Sequence, residues 1–262
     1  MAEVIAIPEH AALAVPEVRK IRIDDLFEAL GQGWQDFKAA PTQVMFLAII
    51  YPVIGALAAR AAWGGDLMPL FFPLVSGFAL LGPVLALGIY ELSRRREQGL
   101  EISALDALAV RHSAALPSIA ALGLLLVVVF IAWVIAARVI LHATLGTAPF
   151  AHPMDFLGRV FGTPEGWRLI IVGHLVGAAF AAVVLAITVV SFPLMLDRNP
   201  VVGVAVRTSL RAVVANPVVM AVWGAIIAAL LIAGTATLFV GLAIAMPVLG
   251  HATWHLYRRV VV

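Results

Sequence analysis

The apolar stretches of this chain match the thickness of a lipid bilayer, and that constrains the fold more than any other feature. About 30 Å of hydrocarbon, at roughly 1.5 Å of helix rise per residue, calls for about 20 mostly apolar residues. Five apolar blocks are legible, at 42–62, 67–92, 117–138, 167–196 and 218–257. The last is about 40 residues long, enough for two crossings. Its middle, Gly234-Thr235-Ala236-Thr237, is small and weakly helical, which predicts a tight hairpin. The expectation is an all-α bundle of six transmembrane helices at about 42–62, 67–92, 117–138, 167–196, 218–234 and 237–257, after an N-terminal segment at 1–40.

Composition agrees. The chain is 63% hydrophobic and 12% charged, whereas a soluble domain runs near 45–50% and about 25%. That apolar surface exceeds what one soluble core can hide, so the lipid bilayer is the expected partner. A net charge of +2 gives no electrostatic case for nucleic acid. With no cysteine, disulfides, thiolate metal sites, iron–sulfur clusters and palmitoylation are excluded. Glu3, Glu9, Glu17, Arg19 and Lys20 interrupt the N-terminal segment, so no cleavable leader is expected.

Basic residues favour the cytoplasmic side of a membrane. With six spans and both termini inside, only Arg60, Arg138, Arg159 and Arg168 of the 17 Lys and Arg fall outside. Five spans would move Arg258 and Arg259 outside.

A threefold repeat underlies the spans. Ile23, Leu26, Phe27, Leu30, Trp34 and Phe37 share one face of an amphipathic helix at 23–38, which stops at Pro41. Similar stretches at 105–115 and 202–215 stop at Pro117 and Pro217, with Arg111 and Arg211 six residues before each proline. GFALLGPVL (77–85) matches GLAIAMPVL (241–249), and in that register Leu92, Arg94 and Arg95 match Leu256, Arg258 and Arg259. The predicted unit is a cytoplasmic amphipathic helix, a proline break and a two-span hairpin, used three times in the same orientation.

Gly173, Gly177 and Ala181, Gly224 and Ala228, and Gly241 and Ala245 form small-residue rows suited to close helix packing. Pro52, Pro73, Pro83, Pro193 and Pro247 predict kinks. Tyr51, Trp63, Tyr90, Trp133, Trp167, Trp254 and Tyr257 fall near span ends, as an aromatic belt would.

Ionisable residues inside spans are suspects for function. Glu91, His174, His251 and His255 are the set. His251 and His255 share a helix face, and in the repeat register Glu91 takes the position of His255. A polar cluster of Glu91, His251 and His255 is therefore expected near the cytoplasmic mouth. His174 and His251 differ in depth by roughly 10 Å, which does not suit a haem held between them. Arg94, Arg95, Arg96, Arg258 and Arg259 form a basic cytoplasmic edge, topological in role and open to anionic lipid. The outer segment 137–166, with His142, His152 and Asp155, reads as a solvated loop. No phosphate-loop, dinucleotide, nucleophile-elbow or zinc-protease fingerprint occurs. No catalytic residue, metal or cofactor is expected.

Four runs carry a resemblance: GWQDF (33–37), GFALLGP (77–83), GIYELSRRRE (88–97) and PVLGHATWHLYR (247–258). Together they resemble a bacterial family of predicted integral membrane proteins of unknown function, some labelled cytochrome c oxidase subunits. The resemblance implies a multi-pass protein of a bacterial inner membrane. A respiratory link implies an accessory or assembly role, since a haem–copper subunit needs several deep histidines on different helices.

The leading expectation is thus a non-enzymatic membrane scaffold or accessory factor, partnered with another membrane protein or complex. The alternative is a small-solute or ion transporter or channel, with a polar path along Glu91, Ser76, Thr188, Ser191 and the histidines.

Overall fold

The computed structural model describes residues 15–40, 42–62, 68–148, 150 and 152–262. Glu3, Glu9, Pro41, Trp63 and Leu67, invoked above, lie outside the described residues, as does the Pro52 side chain. Every regular element among the described residues is a helix. In chain order these are α1 (Ile23–Ala39), α2 (Gln43–Ala62), α3 (Phe71–Leu80), α4 (Gly82–Leu85), α5 (Leu87–Glu97), a 3-10 helix (Ala104–His112), α6 (Leu116–Leu145), α7 (Pro153–Gly162), α8 (Pro164–Thr188), α9 (Ser191–Arg198), α10 (Val202–Ala215), α11 (Pro217–Ala236) and α12 (Leu242–Val260).

Among the described residues, three stretches are long and apolar enough to cross a membrane: Leu116–Leu145, Pro164–Arg198 and Pro217–Ala236. At most 33% of each is buried within the protein. Leu124, Val139, Leu175 and Ile232 are among their exposed side chains, and lipid is the solvent that suits such a surface. The block at 67–92 is not one rod. It is divided into α3, α4 and α5 around Pro83, which has no N–H to return to Ala79. The long run Pro164–Arg198 is likewise interrupted between α8 and α9, upstream of Pro193. Pro247, by contrast, sits inside an unbroken α12.

The segment 137–166 is more than a solvated loop. α6 continues to Leu145, and α7 begins at Pro153 with the Asp155 carboxylate accepting the His152 N–H. Phe150, Phe156 and Val160 pack on Leu141 and Leu145. The apolar face of α7 therefore has a protein surface to bury against.

The chain packs as two units. One comprises Met1–Val44, Pro83–Gly123 and Leu185–Val262, and the other Met45–Gly82 and Leu124–Val184. In the second unit Trp133 is the organising side chain. Its Nε1 donates to the Pro73 carbonyl at 2.8 Å, and its ring packs on Phe180 and Gly177. His174 Nδ1 donates to the Ile170 carbonyl, one turn back in the same helix, and the ring rests on Phe72.

In the first unit α1 runs antiparallel along the C-terminal half of α12, Asp36 meeting His255 and Glu28 meeting Arg259. A Cβ at Gly33 would lie 2.6 Å from the Ala252 nitrogen and 2.9 Å from its Cα, so the two backbones touch there. At Gly250, α12 similarly meets Ile89 of α5. The buried stripe of α1 is Leu26, Ala29, Gly33, Asp36 and Phe37. It is rotated from the expected face, which leaves Ile23, Phe27 and Trp34 exposed. The second amphipathic stretch is a 3-10 helix, closed at its start by Asp106 accepting the Ser103 N–H.

The aromatic belt is corrected as well. Tyr90, Trp133, Trp254 and Tyr257 are buried within the protein, whereas Tyr51 and Trp167 are exposed. An indole or phenol goes inside when its polar end finds a partner, and three of these four have one (Trp133 above, Trp254 and Tyr257 below).

α10 repairs the break between α8 and α9. In an unbroken helix the Val190 N–H would bond the Ala186 carbonyl. Here Ser209 Oγ donates to Ala186 O at 2.7 Å and lies 3.3 Å from Val190 N. Ser209→Ala would leave both backbone groups buried without that partner. A loss of about 2–4 kcal/mol is expected, read as a lower unfolding midpoint in detergent, while Ser209→Thr retains most of the stability.

Candidate functional site

The polar residues of the first unit converge on the ends of α5, α9 and α12 and on α1. Asp36 is the centre, 5% exposed. Its Oδ2 accepts from Ser93 Oγ at 2.7 Å and from His255 Nε2 at 2.8 Å, and its Oδ1 accepts from the Arg96 guanidinium. A carboxylate can be buried when it is paired and hydrogen-bonded. Burial pushes the Asp36 carboxyl up, but the hydrogen bonds from His255 and Ser93 and the electrostatics of the adjoining imidazoles outweigh it and hold it below the usual carboxylate value.

His251, fully buried, lies 2.7 Å from Ser93 Oγ through Nδ1. A hydroxyl has one proton, and Ser93 gives it to Asp36. His251 Nδ1 is then the donor to Ser93, and Nε2 carries the lone pair. That Nε2 is buried and makes no hydrogen bond among the described residues. The order of donors is His251 to Ser93 to Asp36. A nucleophilic serine needs the opposite order, with its proton taken by a histidine whose other nitrogen the carboxylate holds. Ser93, His251 and Asp36 thus form a hydrogen-bond chain rather than an activated hydroxyl.

His251 and His255 therefore meet, but at Asp36. Glu91 is spent elsewhere. It accepts two bonds from Arg94, at 2.8 and 2.9 Å, and one from Arg95 at 2.9 Å. Arg95 also reaches Asp106 at 2.8 Å, tying α5 to the 3-10 helix. The remaining basic-edge residues are paired too. Arg258 bonds Glu97 at 2.9 Å and Asp197 at 3.2 Å. Those carboxylates also accept from Trp254 Nε1 and the Tyr257 hydroxyl. Arg259 holds Glu28 at 2.9 Å and Gln32 at 2.7 Å. All five edge arginines are neutralised within the protein, so their charge is largely unavailable to lipid.

Residues 17–21 and the C-terminal residues join the same assembly. Residues Val18 and Val261 form an antiparallel bridge, with Arg19 N–H donating to Val260 O and Val262 N–H to Glu17 O. Asn216, between α10 and α11, accepts from Ile21 N–H at 2.8 Å and donates to Arg19 O at 3.1 Å.

Asp36 and Ser93 are the residues that sequence reasoning missed. The signal for Asp36 was its position three residues beyond Gly33, on a row with Ala29 that suits a close helix crossing. Both residues fall inside the runs GWQDF and GIYELSRRRE. Those two runs and PVLGHATWHLYR, distant in sequence, meet at this network.

Among the described residues no group of His, Asp and Glu is arranged to hold a metal ion. No curated protein and no solved structure matches the chain. Residues 71–197 match the family model described as "Predicted integral membrane protein (DUF2189)". The matched segment contains GFALLGP and GIYELSRRRE, whereas GWQDF and PVLGHATWHLYR lie outside it. Over that segment, just under half of its length, the chain is similar to a family of predicted integral membrane proteins.

Proposed function

We propose that this chain is a six-span, non-enzymatic scaffold or accessory factor of a bacterial inner membrane, built from three same-facing hairpins with both termini in the cytoplasm. The network that ties helix ends to residues 17–21 and 260–262 supports this reading. The chain returns to one place at residues 19–36, 91–106, 197–216 and 251–262. A segment that leaves and re-enters the same side crosses an even number of times. α6 and α8 make one such pair. α11 crosses once, so α12 brings the chain back to Arg19 and Asp36. α2 and the run α3–α5 make the remaining pair. The placement of Lys and Arg then favours the cytoplasm for the shared side.

The scaffold reading is supported by how the polar groups are used. Asp36 and the arginines hold helices together, Glu91 is paired within its own helix, and Ser76 and Ser191 bond carbonyls of their own turns. The transporter reading needs those same groups to face a path. Reconstitution into liposomes containing a pH-sensitive dye separates the two. The scaffold reading expects an imposed proton gradient to decay no faster than in protein-free vesicles. Faster decay that His251→Ala abolishes would establish transport instead. An accessory role further expects one membrane protein to co-purify at fixed stoichiometry in mild detergent.

A further inference from the structure

Two basic residues that remain available to lipid lie on α10, away from the arginine runs. α10 buries Val204, Ala205, Thr208, Ser209 and Ala212. Its opposite face exposes Arg207, Leu210, Arg211 and Val214, the last at 79%. The helix has no acidic residue. No ion pair among the described residues includes Arg207 or Arg211. Beside this face lies a groove of about 650 Å³, with Leu210, Arg211 and Val214 on one wall and Val15, Pro16 and Val18 on the other. Glu17 is the one carboxylate in its lining.

Chain continuity puts α10 directly beside a candidate span. α10 ends at Ala215, and the span α11 starts two residues later, at Pro217. A helix joined so closely to a span sits at headgroup level, where apolar side chains enter the acyl boundary and cations meet phosphate. We propose that the outer face of α10 is a binding surface for anionic phospholipid. Arg207 and Arg211 engage the headgroup phosphates, and Leu210, Val214 and the groove take the adjoining acyl chain. The inference needs α11 to be a span and is independent of the scaffold reading.

The chain has no cysteine, so Val214→Cys can be labelled singly with bimane. The labelled full-length protein is reconstituted in mixed phosphatidylcholine and phosphatidylglycerol vesicles, with bromine on the acyl chains of one lipid or the other. The expected result is quenching in both, stronger from brominated phosphatidylglycerol. In Arg207→Gln/Arg211→Gln the probe remains quenched, and the preference falls by roughly fivefold for each arginine removed. Both arginines are exposed and free of ion pairs, so this variant is expected to fold. An unquenched probe, equal quenching by the two lipids, or a preference that survives the double substitution would overturn the proposal. Millimolar inorganic phosphate is expected to leave the preference intact. Its abolition by phosphate would assign the arginines to a free anion and equally overturn the bilayer assignment.

Discussion

Asp36→Ala is expected to lower the unfolding midpoint of the purified protein more than any other single carboxylate change. The substitution removes the shared acceptor of the half-exposed Arg96 guanidinium, the buried Ser93 hydroxyl and the His255 Nε2 donor. Removing one partner of a buried charged network typically costs about 3–5 kcal/mol, because the remaining charge is left uncompensated. Asp106→Ala is the comparison. Its carboxylate pairs with Arg95 at a much more accessible place, and exposed pairs contribute little. Equal losses in the two variants would contradict the central role given to Asp36. Acidification supplies a second reading of the same bond set. A carboxyl held below its ordinary value stabilises the fold above its unfolded pKa of about 4. That contribution is lost as the pH falls through the lower folded value. Wild type should therefore lose stability across this acid window by more than Asp36→Asn does.

Gly33→Leu is the second large effect. Even a bare Cβ at this position meets the backbone of Ala252 at 2.6 Å, and backbone cannot rotate out of the way as a side chain can. α1 must move off α12, which separates Asp36 from His255 and Glu28 from Arg259. Overpacking alone costs about 1–3 kcal/mol, and the broken polar contacts add to it. Gly31→Ala is the control, two residues away with nothing within 4 Å of its Cβ position. There the change should stabilise by up to about 1 kcal/mol, since alanine is the better helix former. Limited proteolysis across α1 and a thermal melt would report both outcomes. A Gly33→Leu chain as protected as wild type would rule out the close crossing.

Hydropathy made α6, α8 and α11 legible because each is an uninterrupted apolar window of bilayer length. It was less informative where a helix serves two purposes. α12 is apolar through Leu249 but carries His251, His255, Arg258 and Arg259 in its second half. Its partners lie on α1, α5 and α9, far away in sequence. The face of α1 was misread for a related reason. Helical periodicity selects the large apolar residues Ile23, Phe27 and Trp34, whereas a close crossing selects small ones, Ala29 and Gly33. Trp254 and Tyr257 look like interface residues by position. They are buried because Glu97 and Asp197 accept from their polar ends, and no local pattern predicts an acceptor so remote along the chain. The arginine runs were legible as topological signals. That their charge is neutralised internally depends on Glu28 and Asp36 of α1, Asp106 of the 3-10 helix and Asp197 of α9, beside Glu91 and Glu97 of α5.

The central claim is that the chain returns repeatedly to one side of the membrane. Single cysteines placed in the cysteine-free chain test it directly, using a membrane-impermeant maleimide on intact spheroplasts and again after permeabilisation. Ala2→Cys, Ser103→Cys, Asn199→Cys and Val262→Cys are predicted to label only after permeabilisation. Thr147→Cys, between α6 and α7, is predicted to label in both conditions. Opposite labelling of Ala2→Cys and Val262→Cys would mean an odd number of crossings, and the shared anchoring of residues 17–21 and 260–262 would then be wrong.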